Sequence, residues 1–494
     1  MNLEAHLPIL AIIIPLISAF VIPLFGRINK ACAWYIAISA ISLSFIISVS
    51  LLNSVLADGT VSYRLGGWEP PWGIEYVVDY LSGFVMVIVS AIAVVMTLYA
   101  KKSVEKEIDE SRISAFYAIY MLFFTGLMGM TITGDIFNLY VFIEITALSG
   151  YALSAAGKKR EALIATYNYL ILGTIAATFI LIGIGYLYIV TGTLNMADLK
   201  MRLPGLYGST SVMTAFAFIT VGLSLKLALF PFHIWLPNVY THAPSVVSSL
   251  MAATGTKVAL YVLLRMMFTV FTVDFYLKAV PATTIFLILG ILAIISGSII
   301  AISQTNIKRM LAYSSVGQIG YMVLGVGLAN PLALTGSLIH ILNHALMKGT
   351  LFMAAGAVFY MTGAENISDL RGMGRKMPFT MAAFTIGSLS MIGFPLTVGF
   401  VSKWYLAMGA IKSGMWWLVP VILLSSLLTA VYLLRVIETI YFSETGKETT
   451  PEDAPAGMVI PILILASLCL VFGIFTFMPV GVASRAVTLL LGVQ

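Results

Sequence analysis

Charge is scarce in this chain of 494 residues: Asp, Glu, Lys and Arg together make up 10% of it. So few charges cannot solvate a soluble protein of this size. Apolar residues, at 60%, fall instead into repeated runs of about 20 or more, the length that crosses a bilayer's hydrocarbon core. Cysteine is almost absent. Cys32 and Cys469 both lie in apolar stretches without CxxC or metal-ligand spacing, which argues against a disulfide framework, a zinc site or an iron–sulfur cluster. No Walker or Rossmann glycine pattern occurs, no haem or flavin site is recognisable, and the connections are too short for a nucleotide-binding module. No cofactor or metal is therefore expected, no catalytic redox site belongs to this chain, and any electron transfer must reside in partners. The net charge of +6 is scattered among short loops and not gathered into a stripe, which speaks against a nucleic-acid partner. The first apolar run lacks a basic n-region and a small-residue cleavage pattern, and reads as a retained helix.

What is present is an all-α integral membrane pattern of about fourteen spans, roughly 4–25, 31–56, 77–100, 113–133, 136–156, 162–190, 211–232, 245–269, 280–302, 309–329, 332–361, 379–410, 416–442 and 458–478. The odd-numbered connections hold roughly fifteen Lys and Arg against about six in the even ones and the C-terminal tail, which predicts cytoplasmic odd loops and both termini outside the cell membrane. The seventh span is interrupted by "FPFHIWLP" and the twelfth by "MIGFPLTVGF". Such breakers are tolerated where the freed backbone lines a hydrated cavity inside the protein. With spans 4–8 and 9–13 taken as two five-helix units, both broken spans are fourth in their unit and each carries a lysine, a placement that marks transport sites. The chain then divides into a three-helix segment (1–112), a first repeat (113–269), a second repeat (270–442) and a C-terminal helix and tail (443–494).

Five charges lie well inside spans: Glu144, Lys226 in "GLSLKLALFPFHIWLP", Lys257, Lys348 and Lys403. Each costs about 2.5–3.5 kcal/mol at a helix centre on insertion scales, which marks them as functional candidates. Lys257 and Lys403 have snorkelling as the bland alternative. Arg265 and Arg435, near span ends, are expected to snorkel; Asp135 and Asn138 are expected to cap a helix start. Lys308 and Arg309 read first as interfacial anchors, with an accessory transport role open for Lys308 and for His233 beside the first break. His340, His344 and Lys348, spaced i, i+4, i+8, stack on one helix face over about 12 Å. Imidazole accepts a proton at one nitrogen while donating from the other, so this file suits proton relay.

The stretches "DIFNLYVFIEI", "KLALFPFHIWLPNVYTHAPSVVSSLM", "TNIKRMLAYSSVGQIGYM", "HILNHALMKGTLFMAAGAV" and "GFPLTVGFVSKW" resemble the antiporter-like proton-translocating subunits shared by Mrp-type cation/proton antiporters, respiratory complex I and membrane-bound hydrogenases. The resemblance covers about residues 75–445 and is nearest to the Mrp D subunit or its hydrogenase counterpart. It implies fourteen helices with two inverted five-helix repeats, and proton-transfer roles for Glu144, Lys226, Lys257, His340, His344, Lys348 and Lys403. One departure is Asn238, which occupies a place where many members carry an acidic residue.

The expectation is a proton-translocating subunit of a multisubunit complex, coupled to Na⁺/H⁺ antiport or to a redox reaction, with other membrane subunits, protons, Na⁺ and the lipid bilayer as partners. Lys226 is expected to keep or release its proton according to the distance of Glu144. The alternatives are a self-contained proton-coupled transporter of a small solute, which needs a polar midplane pocket, and a structural subunit that does not pump.

Overall fold

The computed structural model describes residues 3–26, 28–443 and 452–492, and its apolar runs are helices. Three come first: α1 (Leu7–Gly26), α2 (Lys30–Asp58) and α3 (Tyr80–Glu107). The first five-helix unit holds α4 (Ile113–Ile132), α5 (Ile136–Ala155), α6 (Arg160–Thr191), a short surface helix α7 (Met196–Arg202), the interrupted pair α8 (Thr210–Leu227) and α9 (Trp235–His242), and α10 (Ser245–Val270). The second holds α11 (Ala282–Ile302), α12 (Ile307–Leu328), α13 (Pro331–Thr362), the interrupted pair α14 (Pro378–Ile392) and α15 (Val398–Lys412), and α16 (Leu418–Tyr441). After these come α17 (Ala456–Ile474) and α18 (Phe477–Leu491).

Thirteen of the described helices are long and apolar enough to span a membrane. The pair α14 and α15 supplies a fourteenth crossing in two halves of 15 residues each. Three features differ from the sequence reading. The last residues are not an extended tail, because α18 packs back against α3 and α13. The seventh span is helical only to Leu227, where Ala228 turns left-handed (φ 57°) ahead of the proline. A two-stranded antiparallel hairpin, β1 (Val61–Arg64) and β2 (Glu75–Val78), joins α2 to α3 with Val61 opposite Val78.

The helix starts are written in short polar residues. Asp79 caps α3 in a reciprocal box with Ser82, and Asp135, Asn306 and Asn330 each accept a backbone N–H at the head of α5, α12 and α13. These caps reveal the repeat. Asp135 bridges Asn195, and Asn306 bridges Asn366, each partner 171 positions after its counterpart. The flanking bonds repeat too: Met196 N donates to Gly134 O and Ile367 N to Thr305 O, both at 2.8 Å. Helices α6 and α13 are each 32 residues long and end on a left-handed glycine, Gly192 and Gly363. The first clasp lies on the hairpin face, where Tyr76 bridges Thr133, and the second on the opposite face, where Glu365 pairs with Lys159. The two units are therefore inverted. Both ends of the described chain reach the hairpin face, His6 through Tyr63 and Leu490 beside Thr60.

Close backbone approach sets the second unit's packing. A Cβ on Gly297 of α11 would sit 2.6 Å from the Gly317 nitrogen, and one on Gly320 of α12 would sit 2.7 Å from the Ile294 nitrogen. Small residues there let two membrane helices gain dispersion contact where no hydrophobic force separates protein from lipid.

Candidate functional site

The first break sets Lys226 in the last turn of α8. Helix α8 stops one residue after it, and the Leu225 carbonyl accepts both the capping N–H of Ala228 at 3.1 Å and Trp235 Nε1 at 2.9 Å. Trp235 in turn stacks on Tyr169 at 4.3 Å between ring centres. Lys226 Nζ lies 3.6 Å from Glu144 Oε1 of α5, an ion-pair distance beyond hydrogen-bond contact, and neither atom has a hydrogen-bond partner among the described residues. The Glu144 side chain keeps 29% of its surface exposed, on a helix face shared with exposed Phe137, Val141 and Leu148. A cavity of about 60 Å³ beside Lys226 runs on to Gly255 and Thr256, with room for a few waters.

Lys257 follows at once, fully buried on α10. The turn before it, Met251–Gly255, is a π-helix, and the Ala252 carbonyl accepts from Lys257 Nζ, with Thr256 Oγ1 at 3.3 Å. On α13, Lys348, His344 and His340 are all fully buried. Lys348 Nζ donates to Leu311 O at 2.7 Å and to Ser314 Oγ. The rings of His340 and His344 stack at 5.9 Å, but His344 has no partner at either nitrogen among the described residues, so the file is not bonded end to end. His340 contacts Ser402 Oγ (2.8 Å) through Nδ1 and Gln318 Oε1 (3.0 Å) through Nε2. Next to Ser402, Lys403 on α15 donates to Met391 O (3.0 Å), Ile392 O (2.9 Å) and Ser426 Oγ (2.9 Å), the two carbonyls being those freed by the second break. Both breaks thus leave carbonyls for polar groups within the protein, Trp235 in one case and a lysine in the other. The buried ammonium groups of Lys257, Lys348 and Lys403 have no carboxylate within salt-bridge distance among the described residues.

Other sequence expectations come out differently from one another. Lys257 and Lys403 do not snorkel. Asp135 caps α5 through Asn138 N as expected, and exposed Arg435 bonds the Ile302 and Gln304 carbonyls at the end of α11. Arg265 does not snorkel either: it is 8% exposed and pairs with Asp79, while its Nε donates to Tyr261 Oη at 3.0 Å. Burial alone would raise the Asp79 carboxyl, but Arg265 and the bonds from Ser82 outweigh it and hold it below the ordinary value. Lys308 is no interfacial anchor: it is buried, reaching Ser245 Oγ at 2.9 Å, and Ser245 N and Oγ both donate to Glu107 at the end of α3. His233 sits beside the first break, stacked on Phe230 at 5.3 Å. Sequence reading missed Gln318 and Ser402, although a lone amide in "SVGQIGY" and a serine next to Lys403 were visible signals. Asp79 looked like an ordinary helix cap.

Comparison with known proteins places this geometry. Residues 133–429 match a family model described as NADH:quinone oxidoreductase/Mrp antiporter, TM. The chain is 44% identical over 490 residues to the N subunit of the NADH-quinone oxidoreductase of Desulforudis audaxviator, covering 96% of both. It is 30% identical to the D subunit of the Na(+)/H(+) antiporter of Bacillus subtilis, covering 95% of this chain and 94% of that one. Among solved structures it superposes on a chain of an archaeal membrane-bound sulfane sulfur reductase with a TM-score of 0.91 at 32% identity, over 98% of each. A chain of the Mrp complex from Dietzia shares the fold, with a TM-score of 0.90 at 23% identity over 99% and 98% of the two chains.

Proposed function

Because this chain belongs to the family of NADH:quinone oxidoreductase and Mrp antiporter transmembrane subunits, we propose that it moves protons across a cell membrane as one subunit of a larger complex. The observation that carries the reading is the line of titratable groups that runs from half-buried Glu144 and Lys226 through Lys257, Lys348, His344 and His340, all fully buried, to buried Lys403. Lysines held without a carboxylate in apolar surroundings are costly, and a charge that comes and goes with a proton gives that cost a purpose. Water is needed between some members, because the side chains do not touch throughout. Lys308, bonded to Ser245 and through it to Glu107, fits intake from the face opposite the hairpin, and His233 an accessory place beside the first break.

Glu144 is the switch in this reading. Its half-exposed position on an apolar face suits a neighbouring subunit whose own cation draws the carboxylate away from Lys226 and frees that proton. The units run 113–269 and 270–442, flanked by 1–112 and 443–494, and the hairpin face, with both termini, is the outside. The greater likeness to a quinone oxidoreductase subunit favours redox coupling over Na⁺ exchange. A small-solute transporter needs a pocket of about 300 Å³ or more, whereas the cavity beside Lys226 is about 60 Å³. The test is proton transport in vesicles carrying the whole complex. Lys257→Ala, with assembly verified, is expected to abolish it, and full transport in that variant would remove Lys257 from the path.

A further inference from the structure

A second polar file leaves Lys257 in the other direction. Lys257, Tyr261 and Arg265 are spaced i, i+4, i+8 on α10, so they lie along one helix face over about 12 Å. Tyr261 and Arg265 both line a cavity of about 240 Å³ under the hairpin, together with Asp79 and Glu75, and Leu489 and Leu490 of α18 close it in part. A polar cavity of that size has room for water, and within three helical turns of a buried proton carrier it is a route by which protons would escape without doing work.

The hydrogen bonding closes that route. Tyr261 Oη donates its one proton to Thr131 O at 2.7 Å and accepts from Arg265 Nε at 3.0 Å. The guanidinium then donates to Asp79, whose carboxylate also accepts from the backbone N–H groups of Leu81 and Ser82. Arg265 donates both ways, inward to Tyr261 and outward to Asp79, and a guanidinium neither accepts nor releases a proton, so no relay crosses it. Glu75 is similarly engaged, accepting from Asn195 (2.7 Å) and Ser62 (2.9 Å). Lys257 points the other way, towards Ala252. A fixed arginine on a polar path is a known physical means of excluding protons from a pore.

We propose that the Arg265–Asp79 pair, with Tyr261, is a seal that keeps protons on Lys257 from leaking into the cavity at the hairpin face. It rests on the reading of Lys257 as a proton carrier. Removing the guanidinium would leave Asp79 and Tyr261 free to bond water and each other, and so join the cavity to the interior.

The experiment measures passive proton conductance of vesicles carrying the assembled complex, with no driving reaction and an imposed pH step. Arg265→Gln is expected to raise conductance about tenfold or more, the change produced by about 1.4 kcal/mol off a barrier. Arg265→Lys should leak less, since it keeps a charge against Asp79, and Tyr261→Phe added to Arg265→Gln should restore tightness. Arg265→Gln vesicles as tight as the unaltered ones would overturn the proposal. Should that variant not assemble, labelling by a charged thiol reagent decides: Thr269→Cys on the cavity wall should react from the hairpin side and Thr131→Cys, behind the pair, should not, and equal rates would equally overturn it. Failure of the carrier reading itself would show separately, as transport surviving in Lys257→Ala.

Discussion

Replacing Glu144 by Gln keeps the side chain's size and removes its charge, and the cost can be estimated from one distance. At 3.6 Å and an effective dielectric constant of about 20, the attraction between Glu144 and Lys226 is about 4–5 kcal/mol. With water recovering about half of it, some 2–3 kcal/mol of charge-dependent interaction disappears, a factor of about 100 in how firmly the lysine's proton responds to the carboxylate. Transport should therefore fall by about two orders of magnitude in Glu144→Gln, and by as much in Lys226→Ala. The double variant should be no worse than either, because the two act as one unit. The assay is pH-gradient formation in vesicles bearing the whole complex under its driving reaction, with each variant's assembly measured first. Near-normal transport in Lys226→Ala would refute the reasoning, as would additive losses in the double variant.

Other consequences are simpler to measure. Trp235→Phe removes one of the two bonds to the Leu225 carbonyl and should cost about 0.5–1.5 kcal/mol, visible as lower thermal stability of the complex with the protein still in the membrane. Asp79, held low by Arg265, contributes stability that is complete above the ordinary carboxylate value of 3.8 and is lost only as pH falls through its lower folded value, so melting should be insensitive to this pair between about pH 5 and 8. Asp79→Ala should instead destabilise by about 3–5 kcal/mol at neutral pH, because Arg265 is left buried and unpaired. Reporters fused within 101–112 should be cytoplasmic and one after residue 490 external; the same side for both would contradict the crossing count.

The helices and the membrane setting were legible because run length is decided by bilayer thickness, and the two interruptions because proline and glycine announce themselves. Glu144, Lys226, Lys257 and Lys403 stood out for the same reason: a charge in an apolar run is conspicuous without any knowledge of its neighbours. What stayed hidden depended on distant partners. Arg265 looked like a snorkelling end residue until Asp79, 186 positions earlier, was seen against it. Lys308 looked like an anchor until Ser245 and Glu107 closed over it. The 171-residue repeat left almost no trace in residue identity. It survives in backbone clasps and left-handed glycines, which depend on conformation more than on side chains. Helix α18 was missed because 15 residues are too few to register as a span.

The measurement that tests the central claim most directly is proton transport by two variants of Lys348, compared in vesicles with equal amounts of assembled complex. Lys348 is fully buried, donates to Leu311 O and Ser314 Oγ, and has no carboxylate within salt-bridge distance among the described residues. If it carries protons, Lys348→Ala stops transport and Lys348→Arg is nearly as poor, because a guanidinium with a pKa above about 12 keeps the charge and cannot pass the proton on. Full activity in Lys348→Arg beside loss in Lys348→Ala would make Lys348 a fixed charge and contradict a proton path through this line of residues.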